Sequence, residues 1–218
     1  MGCLGCRDGR AGGLMFAHMG MVATFLSFVT PYWLKSDFRA YSAQFLRTGL
    51  WETCFRSHSS SDDLEQRKFY VGCRWILTYE YNQLRHTLEL PFFVTTQASQ
   101  SFNRVFYTFA FTAQLVASIG LISIYICFDQ TVEKRFIRYC NLLLGFAFVC
   151  STIAVAVFGS CANQEGWMPD PLHNYLSWSY ASAVVGAFCQ IMAVICLQVD
   201  SRHIVDRDTK MENLHTFG

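Results

Sequence analysis

The chain has 218 residues and a formal net charge of +1, with 52% hydrophobic and only 15% charged residues. That balance excludes an ordinary soluble domain, in which about a quarter of the residues are charged. It also offers no basic excess toward nucleic acid. The apolar residues are gathered in four stretches, each long enough to cross a hydrocarbon core of about 30 Å at about 1.5 Å per helical residue.

Residues 1–12 are expected to be a cytoplasmic N-terminus. Gly2 suggests myristoylation, but Cys6 stands where Ser or Thr is required. Cys3 and Cys6, close to the membrane, are candidate palmitoylation sites; as a lone C-x-x-C pair they are a poor zinc or redox signal. The first span, 13–32, reads as a signal anchor, being too long for a cleaved secretory peptide, although Ala23 and Ser27 keep that second reading open. It closes on Pro31-Tyr32-Trp33, so Trp33 has two readings of equal standing, a belt residue at the headgroup boundary or the first residue of a folded ectodomain.

The region 33–104 is the only long polar stretch between spans. Runs rich in aromatic and branched residues at 38–46, 50–55 and 69–79 predict antiparallel strands, and the Ser- and Asp-rich segment 57–63 predicts an exposed turn. Of the ten cysteines, Cys127, Cys140, Cys150, Cys189 and Cys196 lie in or at the ends of spans, where cysteine is a small packing residue. Cys54 and Cys73 alone are well inside the outer loop and flank the turn, so a disulfide between them is expected. It would close a loop of about 20 residues and contribute roughly 3 kcal/mol. Cys161 is a third candidate external thiol with no evident partner. Leu84, Leu88, Phe102, Val105 and Phe106 predict a helix leading into the second span, with Arg104 at the outer membrane edge. The chain has no Asn-x-Ser/Thr sequon, so N-glycosylation is not expected.

The remaining spans are 105–128, 140–161 and 176–197, and none of the four contains Asp, Glu, Lys or Arg. Pairs of small residues four apart, Ala113 and Ala117, Ala147 and Ser151, Ser182 and Gly186, predict close helix packing. His18, Gln114 and Gln190 are the strongly polar side chains deep in the spans; for His18 a hydrogen-bonded packing role is the expected one. Transport or proton pumping would call for intramembrane charges or broken helices, and no recognisable catalytic motif occurs, so neither an enzyme nor a cofactor or metal is expected. Eight basic residues fall in the short segments 1–12, 129–139 and 198–218, and none in 162–175. The positive-inside rule therefore puts both termini in the cytoplasm and the loops 33–104 and 162–175 outside. In the second outer loop Trp167, Met168 and Pro169 read either as an interfacial anchor or, preferably, as a stiff apolar contact tip.

The series Trp33, Gly49-Leu50-Trp51, Cys54 and Cys73 resembles the first-loop signature of claudins and their relatives, the peripheral myelin and epithelial membrane proteins and the calcium-channel gamma subunits. Leu90-Pro91 followed by Arg104 is similar to the claudin approach to the second helix. Gly166-Trp167-Met168-Pro169 with Asn174-Tyr175-Leu176-Ser177-Trp178-Ser179-Tyr180 resembles invertebrate claudin-like proteins of septate junctions. The likeness covers residues 13 to 197. It implies a membrane α-helical fold, a four-helix transmembrane bundle carrying a small extracellular antiparallel β-sheet of four strands from the first loop and one from the second. It further implies that Trp33, Gly49, Leu50 and Trp51 anchor the sheet, that Cys54 and Cys73 form its disulfide, and that Arg104 caps the junction of sheet and bundle.

Two features depart from the family pattern. The eighteen residues between Cys54 and Cys73 are more than claudins commonly have, so strand lengths and pore positions do not transfer. The ending Thr216-Phe217-Gly218 lacks the valine-type residue with which many claudins engage PDZ scaffolds.

The expected function is a multi-pass plasma-membrane protein of lateral cell junctions, which contacts itself and other claudin-like proteins in cis and in trans to form a paracellular barrier. The alternatives are an auxiliary subunit of a channel or receptor, or a myelin-protein-like regulator of membrane traffic; glycosylated first loops are common in both groups, so the missing sequon favours the junction. Epitope tags at both ends should become detectable only after permeabilisation, and labelling of either tag on intact cells would overturn this topology.

Overall fold

The computed structural model describes residues 4–37, 45–59, 69–78, 93–127, 130–162 and 173–216. Four helices dominate it: α1 Leu4–Val29, α2 Phe93–Cys127, α3 Gln130–Cys161 and α4 Trp178–Thr216. Each contains a stretch long and apolar enough to cross a membrane, namely Arg10–Val29, Gln100–Ser123, Arg135–Cys161 and Trp178–Arg202. Many of their large apolar side chains, including Val22, Ile119, Leu142 and Phe188, point outward, while Ala17, Ala117, Ala147 and Ala193 are buried beside a few large ones such as Leu144 and Leu197. Helices solvated by lipid gain nothing by hiding Leu or Phe, so small residues take the contacts and let the backbones approach.

The five strands form one antiparallel sheet, in the order β4-β3-β2-β1-β5. Their bounds are β1 Leu34–Ser36, β2 Phe45–Thr48, β3 Glu52–Ser59, β4 Phe69–Trp75 and β5 Asn174–Leu176. Four therefore come from the segment between α1 and α2 and one from the segment between α3 and α4. Leu176, expected to open the fourth span, instead pairs with Leu34, and the helix starts at Trp178. The expected strand at 38–46 is present at its last two positions within β2; the rest of that run lies outside the described residues.

The register is offset by bulges between Phe45 and Arg47 and between Phe55 and His58. Opposite Phe55 sits Gly72 with φ of 92°, a left-handed backbone that a residue with a Cβ adopts only under strain. Because side chains alternate across a strand, the row Leu34, Thr48, Thr53 faces one side and is buried. The neighbouring row, Tyr175, Lys35, Arg47, Cys54, Cys73, faces the other.

By contact the chain divides into two compact units. The first, Met1–Ala23, Phe109–Cys150 and Val185–Gly218, is helical, with a core of Ala17, Ala117, Leu121, Ile137, Cys140, Leu144, Ala193 and Leu197. Two fully buried glutamines cross it. Gln190 Nε2 donates to Gln114 Oε1, and Gln114 Nε2 donates to the Ala17 carbonyl at 3.4 Å. In hydrocarbon an unpaired amide is costly, so this chain ties α1, α2 and α4 in one register. The backbones of α1 and α4 come close there: a Cβ on Gly20 would lie 2.9 Å from Gln114 Nε2, 3.1 Å from Cys189 Cβ and 3.5 Å from the Gly186 carbonyl.

His18 lies on α1, its Nδ1 2.7 Å from the Leu14 carbonyl one turn back. A carbonyl only accepts, so that nitrogen carries the proton and bonds within its own helix. The small pair expected at Ser182 and Gly186 is half realised. Gly186 is buried, but Ser182 turns outward and donates to the Trp178 carbonyl; Ala183 and Ala187 are the buried small residues of that helix.

The second unit, Thr24–Thr108 with Ser151–Val184, holds the sheet and the helix segments it packs against. The turn between β2 and β3 approaches the chain at Pro31 so closely that a Cβ on Gly49 would fall 2.5 Å from Pro31 Cα and 2.9 Å from the Thr30 carbonyl oxygen. These are backbone atoms, which cannot swing aside.

Gly49→Ala should therefore destabilise the protein by about 1–3 kcal/mol, as overpacking does, seen as a lower midpoint in thermal unfolding in detergent. In the helical unit, a double-mutant cycle of Gln114→Leu and Gln190→Leu should give a coupling of about 0.6–1.7 kcal/mol. Strict additivity would show that the glutamine pair is not a clamp.

Candidate functional site: the stapled sheet and its surface

Trp33 is fully buried, which overturns its reading as a membrane-belt residue. Its Nε1 donates to the Ser27 carbonyl at 2.8 Å, its backbone N–H to the Thr48 carbonyl, and its own carbonyl accepts from the Ser177 N–H, both at 3.0 Å. The indole meets Tyr107, Phe158 and Tyr180 edge to face, at centroid distances of 5.1, 4.9 and 5.8 Å. One side chain thus bonds or packs against all four helix segments of this unit. The amphipathic role falls to Tyr32 and the half-exposed Trp178, whose rings lie 5.4 Å apart.

The turn Gly49-Leu50-Trp51 supplies the second set of contacts. Gly49 N–H donates to the Glu52 carbonyl at 2.8 Å, Leu50 is buried, and the Trp51 ring meets Phe28 edge to face at 5.3 Å. The Trp51 carbonyl accepts from the Ile76 N–H at 2.9 Å, so the same residue also holds the segment after β4. Beside the turn, Arg104 shares a small cavity with Thr48, Gly49, Leu50, Gln100, Asn103 and Phe158. Its Nη2 donates to Gln100 Oε1 at 2.9 Å. Asn103, which the sequence did not single out, is 2% exposed and its Oδ1 has no partner among the described residues. Its position at i−1 to Arg104 gave no signal, because burial of a polar side chain there depends on the turn folding against α2.

Cys54 and Cys73 are disulfide-bonded and stand directly opposite each other on β3 and β4. Cys54 is buried and Cys73 exposed. Arg47, on the neighbouring strand and in register with Cys54, reaches over the bridge: Nε lies 3.4 Å from Cys54 Sγ and Nη2 3.7 Å from Cys73 Sγ. The guanidinium is held by the Tyr32 hydroxyl, to which Nη1 donates, and its carbon lies 4.4 Å from the centroid of that ring. Nothing in the spacing of the sequence pointed to Arg47, because its role depends on cross-strand register.

Cys161 is free and half-buried against the aromatic cluster around Trp33. Trp167, Met168, Pro169 and Cys3 lie outside the described residues, as does the Cys6 side chain. The described surface of the sheet has its own apolar groups: Val71, Trp75 and Leu77 are 60, 58 and 74% exposed. They sit on and just beyond β4, an edge strand of the sheet.

No curated protein matches the chain. A family model described as PMP-22/EMP/MP20/Claudin tight junction matches residues 18–199, which takes in the second and third spans whole, the larger part of the first and fourth, the sheet, the Trp33 cluster and the disulfide. Four membrane-length helices, a stapled five-stranded sheet and this match together make the chain a member of the PMP-22/EMP/MP20/Claudin family.

Proposed function

We propose that this protein is a claudin-like component of lateral cell junctions that forms or organises a paracellular barrier, and that its ectodomain associates with copies of itself and with related proteins in cis and in trans. The observation that carries this reading is the pairing of a rigid sheet with exposed apolar groups. A sheet held by Trp33 and by the bridge loses little further entropy on association, and Val71, Trp75 and Leu77 offer it large apolar contacts at an edge. Such groups on a soluble face mark contact sites.

In this reading both termini are cytoplasmic, and Trp167, Met168 and Pro169 add a second contact tip on the other outer loop. Trp33, Gly49, Leu50, Trp51 and Arg104 serve as the fixed base, and the proposal extends to a likeness with septate-junction members of invertebrates. A channel or receptor subunit, or a trafficking regulator, would use the same sheet toward a partner in its own membrane.

Depletion in a polarised epithelium should raise dextran passage between cells, and the tagged protein should concentrate at lateral contacts. Wild type should restore the barrier, whereas Cys54→Ser, which removes about 2–5 kcal/mol of stability with the bridge, and Trp51→Ala should not. Uniform surface distribution, unchanged leak and an altered channel or receptor current would replace this reading with the auxiliary-subunit one.

A further inference from the structure

The Cys54–Cys73 bridge is asymmetric in two ways that bear on its chemistry rather than on its strength. Cys73 is exposed on edge strand β4, whereas Cys54 is buried on the interior strand β3. A thiolate attacks one sulfur of a disulfide and expels the other, so an external thiol meets Cys73 Sγ and the departing group is Cys54 Sγ. Arg47 holds its Nε 3.4 Å from that departing sulfur, closer than its Nη2 stands to the attacked Cys73 Sγ at 3.7 Å, and is itself fixed against Tyr32. A cation there stabilises the thiolate as it forms, and a less basic leaving thiol departs faster. The Glu52 carboxylate lies within 4.8 Å of both sulfurs and opposes the same negative charge.

We propose that Cys73 is a modification site for small external thiols of the glutathione class, entered by directional exchange across the Cys54–Cys73 bridge. The incoming thiolate forms a mixed disulfide with Cys73 as the Cys54–Cys73 bond breaks, and Cys54 leaves as a thiolate beside Arg47. This first step is an exchange with no net oxidation. A second thiolate attacking the mixed disulfide releases the symmetrical small disulfide and leaves Cys73 as a thiolate; the two small thiols have then supplied the two electrons that reduce the protein. Backbone pairing of β3 with β4 continues on both sides of the bridge, at Glu52 with Trp75, Thr53 with Arg74 and Phe55 with Gly72. The modified strand therefore stays in the sheet, with the adduct on the face that carries Val71 and Trp75.

The test uses full-length protein in detergent micelles with reduced glutathione, followed by alkylation with N-ethylmaleimide and peptide mass mapping. Glutathione should be found on Cys73 and the alkyl group on Cys54. Arg47→Gln should slow adduct formation by about tenfold, from the loss of leaving-group stabilisation, and Glu52→Gln should speed it. If Arg47→Gln fails to elute as a folded species, Arg47→Lys, which keeps the charge but moves it off Nε, should give an intermediate rate. Glutathione on Cys54, rates indifferent to both substitutions, or an adduct that forms only after denaturation would each overturn the proposal.

Discussion

The sheet-bearing unit depends on the burial of one indole. Trp33 lies four residues beyond the end of the first helix, and its indole, its backbone N–H and its carbonyl are all used. The indole N–H returns to the last turns of α1, the backbone joins β2 and the start of α4, and the ring edges fill the space between Tyr107, Phe158 and Tyr180. A buried tryptophan brings a large apolar area and one donor that must be paired. Here the donor goes to a helix carbonyl left open by the end of α1, so a requirement of the side chain and one of the backbone are met by the same bond.

That fixed point explains why so small a sheet is ordered. Three of its strands have only three or four residues, too few to hold themselves together against chain entropy. Leu34, Phe45, Leu50 and Phe55 bury their side chains in the cluster around Trp33, and the disulfide constrains β3 and β4 on the far side. The two devices act at different strands. The aromatic cluster fixes the inner strands to helices, and the bridge ties the edge strand to its neighbour.

The membrane-facing helices follow another physics. With lipid on one side and protein on the other, burial of apolar surface does not choose between them, so contacts are set by size and hydrogen bonding. Gln114 and Gln190 satisfy one another and the Ala17 carbonyl, while Gly20 allows the close passage that brings the carbonyl within reach.

The four spans were legible in the residues alone, because about 20 consecutive residues without charge have few other solvents, and so was the disulfide, because Cys54 and Cys73 are the cysteines well inside the long polar stretch between spans. The sequence also marked Gly49-Leu50-Trp51 through the family likeness. The two readings of Trp33 were separated by packing alone, since a tryptophan just beyond a helix end suits either a headgroup boundary or a core until its neighbours are placed. The same holds for Leu176, apolar enough to continue a helix but paired with Leu34 across the sheet, and for Ser182, whose spacing suits a helix contact on a face that turns outward. Arg47 was illegible for the strongest reason. Its place over the bridge follows from strand register, which a bulge between Phe45 and Arg47 resets, and a one-residue slip would send its side chain to the opposite face.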